Sequence, residues 1–149
     1  MLFARYGQGL LVLHERQTRF SIVLHPLDRK AVLTARTIAR QLGKLPQALR
    51  KTISFDNGTE FAEHHRLHNA LGVQTFFCDP HSPWQKGGVE NSIGRLRRSL
   101  PRKTDLKAIT AAALKRLAQR LNDTPRKCLD FNTPAEAFSK LKSIVALQT

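Results

Sequence analysis

The sequence predicts an α/β fold, a mixed sheet with helices packed on it, and three observations carry that expectation. Two strand-length apolar runs near the start flank a short polar turn, strand-length and helix-length patterns then alternate, and the second half is dominated by helical spacing. A chain of 149 residues with 41% hydrophobic content is long enough for one compact domain with a real core, so a single domain over 1–149 is expected.

Taken in order, Gly9 to Glu15 is apolar and strand-length, Arg16-Gln17-Thr18-Arg19 is polar, and Phe20 to His25 resumes the apolar run, which predicts a β-hairpin. Pro26 and Asp28 close the second strand. From about Lys30 to Leu42 the positions of Ala31, Leu33, Ala35, Ile38, Ala39 and Leu42 follow helical spacing, and Gly43 ends the helix. Lys51 to Phe55 is a short strand whose end delivers Asp56. Thr59 to Leu71 reads as a helix finished by Gly72, and Val73 to Cys78 as another strand. The two prolines of Asp79-Pro80-His81-Ser82-Pro83 stop that strand and lead into a helix from Pro83 or Gly87 to about Leu100. That helix has Glu90 early and Arg95, Arg97 and Arg98 late, an order that suits the helix dipole. Ala108 to Asn122 is a further helix with Ile109, Ala112, Ala113, Leu117 and Leu121 as its apolar stripe, and Thr133-Pro134-Ala135-Glu136-Ala137-Phe138 opens a capped final helix.

Charge narrows the function classes. Twenty-five Lys and Arg against 11 Asp and Glu give a formal net charge of +14, which predicts attraction to a polyanion such as DNA or RNA. The apolar run Leu10 to Leu13 is far short of the roughly 20 residues a spanning helix needs, so no membrane partner is expected. Arg5 and His14 interrupt the early apolar segment and no small-residue cleavage pattern follows, so a cytoplasmic protein is expected. Cys78 and Cys128 form no Cys-x-x-Cys pairing and support neither a disulfide framework nor a cysteine zinc site.

The candidate chemistry lies at Asp56, in Phe55-Asp56-Asn57-Gly58-Thr59-Glu60-Phe61, and at Glu90, in Ser82-Pro83-Trp84-Gln85-Lys86-Gly87-Gly88-Val89-Glu90-Asn91. Carboxylate oxygens are hard ligands that suit Mg²⁺, and phosphodiester chemistry is well served by a pair of such ions. Taken alone, Asp-Asn-Gly is also a strong turn signal, and a Glu early in a helix is also a dipole partner. The basic stretch Arg95, Arg97, Arg98, Arg102, Lys103 and Lys107 would hold a DNA backbone beside such a site, or form a solvated helix face. His64, His65 and His68 are expected to be surface histidines because a fourth zinc ligand is missing. Trp84 is expected to pack its loop against the helix, Glu60 to serve a helix start, and Glu15 to serve the hairpin.

Together the two acidic motifs resemble the catalytic core of DDE-type transposases and retroviral integrases, in the ribonuclease H-like superfamily. In that family the second acidic residue sits in an Asp-Asn-Gly-x-Glu-Phe segment, as at Asp56 to Phe61, and the third in a segment like Ser-Pro-Trp-Gln-x-Gly-x-x-Glu-Asn, as at Ser82 to Asn91. Arg16-Gln17-Thr18-Arg19-Phe20, Leu121-Asn122-Asp123-Thr124-Pro125-Arg126-Lys127-Cys128-Leu129 and Thr133-Pro134-Ala135-Glu136 look like the corresponding stretches of bacterial insertion-sequence transposases. The resemblance implies a ribonuclease H-like mixed sheet and metal-dependent DNA cleavage and strand transfer through two Mg²⁺ or Mn²⁺ ions. It implies Asp56 and Glu90 as catalytic metal ligands, Lys86 and Asn91 beside them on DNA, transposon ends and target DNA as partners, and a homo-oligomer.

One departure stands against these agreements. The family's first catalytic Asp lies on the first sheet strand, upstream of the hairpin, and no Asp precedes Asp28 here. The first strand is therefore expected to be missing, or replaced by Met1 to Tyr6 without its carboxylate, and an upstream DNA-binding module has no room. The expected protein is the core of a longer transposase, N-terminally truncated, with little or no catalysis of its own. The alternative is a non-catalytic DNA-binding or assembly remnant of such an enzyme.

Overall fold

The computed structural model describes residues 2–3, 9–25, 30–100 and 104–147, and Asp28, Arg102 and Lys103 lie outside them. The chain divides into two compact units, one formed by Met1–His25 with Gly87–Ala146 and the other by Pro26–Lys86 with Leu147–Thr149.

In the first unit, β1 (Leu2–Phe3), β2 (Gly9–His14) and β3 (Ser21–Leu24) form an antiparallel sheet in the order β1-β2-β3. The expected hairpin is present, with Leu11 opposite Leu24, Val12 opposite Val23 and His14 opposite Ser21. Its turn is tied by the Glu15 carboxylate, which accepts the backbone N–H of Gln17 at 2.9 Å and of Thr18 at 2.6 Å, the hairpin role anticipated for that residue. Strand alternation then sends Leu10, Val12 and Val23 to one face, where they pack with Leu96 and Leu100 and with Leu106, Leu114 and Leu121. The short strand Leu2–Phe3 stands at the sheet edge where the first strand was expected to be missing or replaced, and it carries no carboxylate.

Leu96 comes from α3 (Gly87–Ser99), and Leu114 and Leu121 from α4 (Ala111–Asn122). The Thr110 hydroxyl caps α4 by accepting the Ala113 N–H, so the regular helix starts later than the apolar spacing suggested. Its buried stripe also differs: Leu114 is in the core and Ala112 is exposed, because a leucine buries far more apolar area than the alanine two positions earlier. The final helix α5 (Pro134–Leu147) opens on a reciprocal cap in which Thr133 Oγ1 accepts the Glu136 N–H and Glu136 accepts the Thr133 N–H. Phe138 then stacks on Phe20 at 4.5 Å between ring centroids.

In the second unit, β4 (Thr52–Phe55) and β5 (Gln74–Phe77) pair in parallel, and α2 (His65–Leu71) lies on the crossover between them. The helix α1 (Ala31–Leu42) turns Thr34, Ala35 and Ile38 inward, towards Phe55, Phe61 and Leu67. The segment expected as one helix from Thr59 is a single 3₁₀ turn, Thr59–Phe61, followed by α2. Phe61 is drawn into the core with its ring 4.6 Å from that of Phe55, which fixes the turn before α2 begins. Gly72 ends α2 at φ 67°, and the Arg50 guanidinium donates to the Leu71 carbonyl at 2.7 Å.

Candidate functional site

Asp56 follows the last residue of β4 and is half-buried. Its neighbours on both sides fix it. Phe55, 5% exposed, stacks on Phe61 and lies 5.9 Å from the Phe77 ring. The Asn57 side chain donates to the Cys78 carbonyl at 3.2 Å, and the Cys78 N–H donates to the Phe55 carbonyl at 2.8 Å. The Asp-Asn-Gly turn is therefore bolted to the end of β5, so the same residues that signal a turn also hold a carboxylate at a strand end. Glu60, expected at a helix start, stands in the first turn of the 3₁₀ segment Thr59–Phe61 and is buried at 6% exposure. Its carboxylate folds back over Gly58, within 2.6 Å of where a side-chain Cβ would stand.

The loop ahead of α3 is closed by Gln85, whose amide accepts the Asp79 N–H at 2.9 Å and donates to the Asp79 carboxylate at 2.8 Å. Trp84, expected to pack, is 75% exposed, because Gln85 rather than the indole closes this loop.

Glu90 sits exposed in the first turn of α3, the helix that turns Ser92 and Leu96 inward. Asn91 is also exposed and accepts a hydrogen bond from Arg95 Nε at 3.2 Å. Arg98 is exposed and Arg95, Arg97 and Lys86 are half-buried.

Beneath this helix lies a polar network whose role the sequence did not disclose. His14 Nδ1 is 2.9 Å from Ser21 Oγ and 3.0 Å from Ser92 Oγ. The Asn122 side chain binds both ways to the edge of β3, accepting the Ser21 N–H at 2.9 Å and donating to the Ser21 carbonyl at 2.8 Å. A Cβ at Gly88 would stand 3.0 Å from the His14 ring, so the first turn of α3 reaches the imidazole only because residue 88 has no side chain. Burial, then the Arg19 guanidinium, lowers the His14 pKa to about 4, so the ring is neutral at ordinary pH. Burial tends to raise the Glu15 carboxyl, yet the hydrogen bonds from Thr18 and Gln17 together outweigh it and hold the group below its usual range. Two residues of this region were visible as motif: Asn122 and Arg126 stand in the quoted Leu121 to Leu129 stretch. The Ser92 and His14 pairing crosses the whole sequence and left no local signal.

Among the described residues no group of three or more His, Cys, Asp or Glu side chains could hold a metal ion. His64, half-buried, bonds to Thr75 Oγ1 at 2.8 Å, and the exposed His65 lies 3.5 Å from a Glu63 carboxylate oxygen. No helix among the described residues is long and apolar enough to cross a membrane.

No family model matches the sequence. The transposase for insertion sequence element IS1086 of Cupriavidus metallidurans is 38% identical over 130 residues, 87% of this chain and 38% of that protein. The chain is similar to insertion-sequence transposases. The transposase InsI for insertion sequence element IS30C of Escherichia coli is 37% identical over 131 residues, 88% of this chain and 34% of that protein. The chain thus spans little more than a third of the length of these transposase relatives. Among solved structures, the catalytic core domain of BIV integrase superposes with a TM-score of 0.70 and 20% identity, covering 96% of this chain and 93% of that one. The fold is therefore the α/β, ribonuclease H-like fold of an integrase catalytic core.

Proposed function

We propose that this chain is the catalytic-core portion of a DDE-type transposase, a protein that cleaves DNA and transfers the cut strand. The observation that carries this reading is the pair of acidic motifs, Asp56 clamped at the end of β4 and Glu90 exposed on the first turn of α3, within a chain similar to insertion-sequence transposases over nearly nine-tenths of its length.

Asp56 and Glu90 are the residues that would bind Mg²⁺ or Mn²⁺. Carboxylates are the right donors in kind for a hard divalent ion, but the described residues bring no three-ligand cluster together, so the donor set falls short in number. When bound, two such ions would activate the attacking oxygen and stabilise the leaving one. The chain's own contribution is positional. β4 and the Asn57–Cys78 bond fix one carboxylate, and the Ser92–His14 contact fixes the helix that bears the other. Lys86, Asn91, Arg95, Arg97, Arg98, Arg102 and Lys103 are the proposed contacts to the phosphates of transposon ends and target DNA. Water or a DNA 3′-hydroxyl is the attacking group, and no covalent protein intermediate forms. The protein acts as a homo-oligomer in the cytoplasm, nucleoid-associated when bound to DNA.

With two of three acidic ligands, this chain alone is expected to show little or no catalysis. The test is Mn²⁺-dependent cleavage and strand transfer on a labelled duplex, with the 149-residue chain beside a version extended upstream to the next Asp of its reading frame. Activity confined to the extended protein, and abolished in Asp56→Ala or Glu90→Ala, supports the proposal. The alternative reading is not the one that the similarity to transposases favours. It is a non-catalytic DNA-binding or assembly remnant, and inactivity of both proteins with salt-sensitive DNA binding retained would select it.

A further inference from the structure

The stretch from Arg126 to Asn132 is a tight turn between α4 and α5 in which two successive residues that are not glycine take left-handed backbone angles, Asp130 at φ 50° and Phe131 at φ 62°. Left-handed geometry is tolerated by Asp and is a marked outlier for a bulky aromatic residue. The turn is nevertheless firmly closed. Arg126 donates its N–H to the Asn132 carbonyl at 3.1 Å, its own carbonyl accepts the N–H groups of Leu129 and Phe131, each at 3.0 Å, and its guanidinium donates to the Leu121 carbonyl at 2.8 Å. The Asn132 amide bonds to the Leu129 carbonyl at 2.8 Å.

In this turn Phe131 is 68% exposed. The neighbouring Phe138 is 9% exposed and stacks on Phe20, so burial of an aromatic ring at this end of the unit is already supplied by another residue. A strained turn, held by a hydrogen-bonded frame and presenting an apolar ring to water, points to an external partner. The surroundings say which kind. Lys127 is exposed in the same turn, and Lys140 donates to the Asn132 side chain at 3.4 Å. Beneath them the buried Arg126 guanidinium has an Nη1 group that bonds to none of the described residues, and burial followed by the nearby Arg95 charge holds its pKa below the usual arginine value. Asp130 is the acid of the turn, and the whole chain carries +14.

We propose that Phe131 is a stacking platform for an unpaired or terminal nucleobase of bound DNA, with Lys127 and Lys140 taking the adjoining phosphates. The proposal rests on the reading of this chain as a DNA-binding protein, and adds a contact outside the acidic motifs. Aromatic stacking on a base tolerates any sequence, since every base has a π-face, so this contact would sense the open end of a strand rather than its sequence.

The test uses the 149-residue chain and a DNA duplex with a short single-stranded overhang, carrying 5-iododeoxyuridine either in the overhang or within the duplex. Binding is read by fluorescence anisotropy over a salt series, and contact by long-wavelength photocrosslinking with peptide mapping. The expected result is a crosslink at Phe131 from the overhang position alone. Phe131→Leu is expected to remove the crosslink and weaken overhang binding roughly tenfold, with an unchanged salt dependence, and Phe131→Trp to restore both. Crosslinking centred on Trp84 or another ring, or equal affinity of Phe131→Leu for the overhang DNA, would overturn the proposal, as would a change in sedimentation of that variant in place of a change in affinity. Absence of any salt-dependent binding by the unaltered chain would overturn the DNA-binding reading and this proposal with it.

Discussion

The two acidic residues are held in place by different physics. Asp56 stands on a largely apolar footing, with Phe55 stacked on Phe61 and beside the tilted Phe77 ring, and with the Asn57 side chain bonded to the Cys78 carbonyl. Glu90 stands on a helix that rests, through Ser92, on a largely buried polar network of His14, Ser21 and Asn122, and through Leu96 on an aliphatic cluster. A largely aromatic footing fails by leaving a void, whereas a polar one fails when any member loses its partner or gains a charge. The two carboxylate positions should therefore respond differently to truncation, to unpaired polar groups and to pH.

The largest effect is expected from the aromatic side. Phe55→Ala removes the central ring of the stack and should cost about 3–5 kcal/mol. Native-state hydrogen exchange should show amides of β4 and β5 exchanging faster while those of β2 and β3 keep their protection. Asn122→Leu reverses the pattern: it leaves the Ser21 N–H and carbonyl buried without their partner, which should cost about 3 kcal/mol, seen as faster exchange in β3 with β4 and β5 spared. Equal effects of both substitutions on both units would erase the distinction.

Smaller changes sharpen it. Gly88→Ala forces a methyl group to 3.0 Å from the His14 ring and should cost about 1–2 kcal/mol by urea denaturation, a cost relieved when His14 is also shortened to Ala. The pH response should be gentler still. Folding lowers the His14 pKa from 6.5 to about 4, chiefly through burial and then through Arg19, with Glu15 opposing and Arg126 adding to the decrease. The unfolded chain then binds more protons between those values, so stability is full above about pH 6.5 and declines as pH falls towards 4. His14→Asn, whose amide can reach the place of Nδ1, should flatten that decline in urea midpoints measured between pH 4 and 7.

Much of this was legible in the sequence because the signals were local. The hairpin followed from an apolar run on each side of Arg16 to Arg19, the cap of α5 from Thr133 and Glu136, and the helix dipole arrangement of α3 from Glu90 followed by Arg97 and Arg98. The acidic motifs were readable for the same reason. Misplaced features depended on side-chain contacts that helical or strand periodicity does not carry. Thr59 to Leu71 has helical composition, but Phe61 is captured by Phe55, which breaks the segment into a 3₁₀ turn and a shorter helix. Trp84 was expected to be packed, yet the loop it occupies is closed by the Gln85–Asp79 pair and leaves the indole exposed. The contact of His14 with Ser92 joins the first hairpin to a helix much later in the chain, a pairing that periodicity does not reveal.

The proposed role of Asp56 and Glu90 as divalent-metal ligands, despite their different footings, is tested most directly by titrating Mn²⁺ into the isotopically labelled 149-residue chain and following paramagnetic broadening of amide signals. The account predicts that signals around Asp56 and Glu90 broaden together at the same Mn²⁺ concentrations, and that Asp56→Asn or Glu90→Gln alone weakens the broadening at both places. Broadening at one of them only, or a pattern that survives both substitutions, would contradict it.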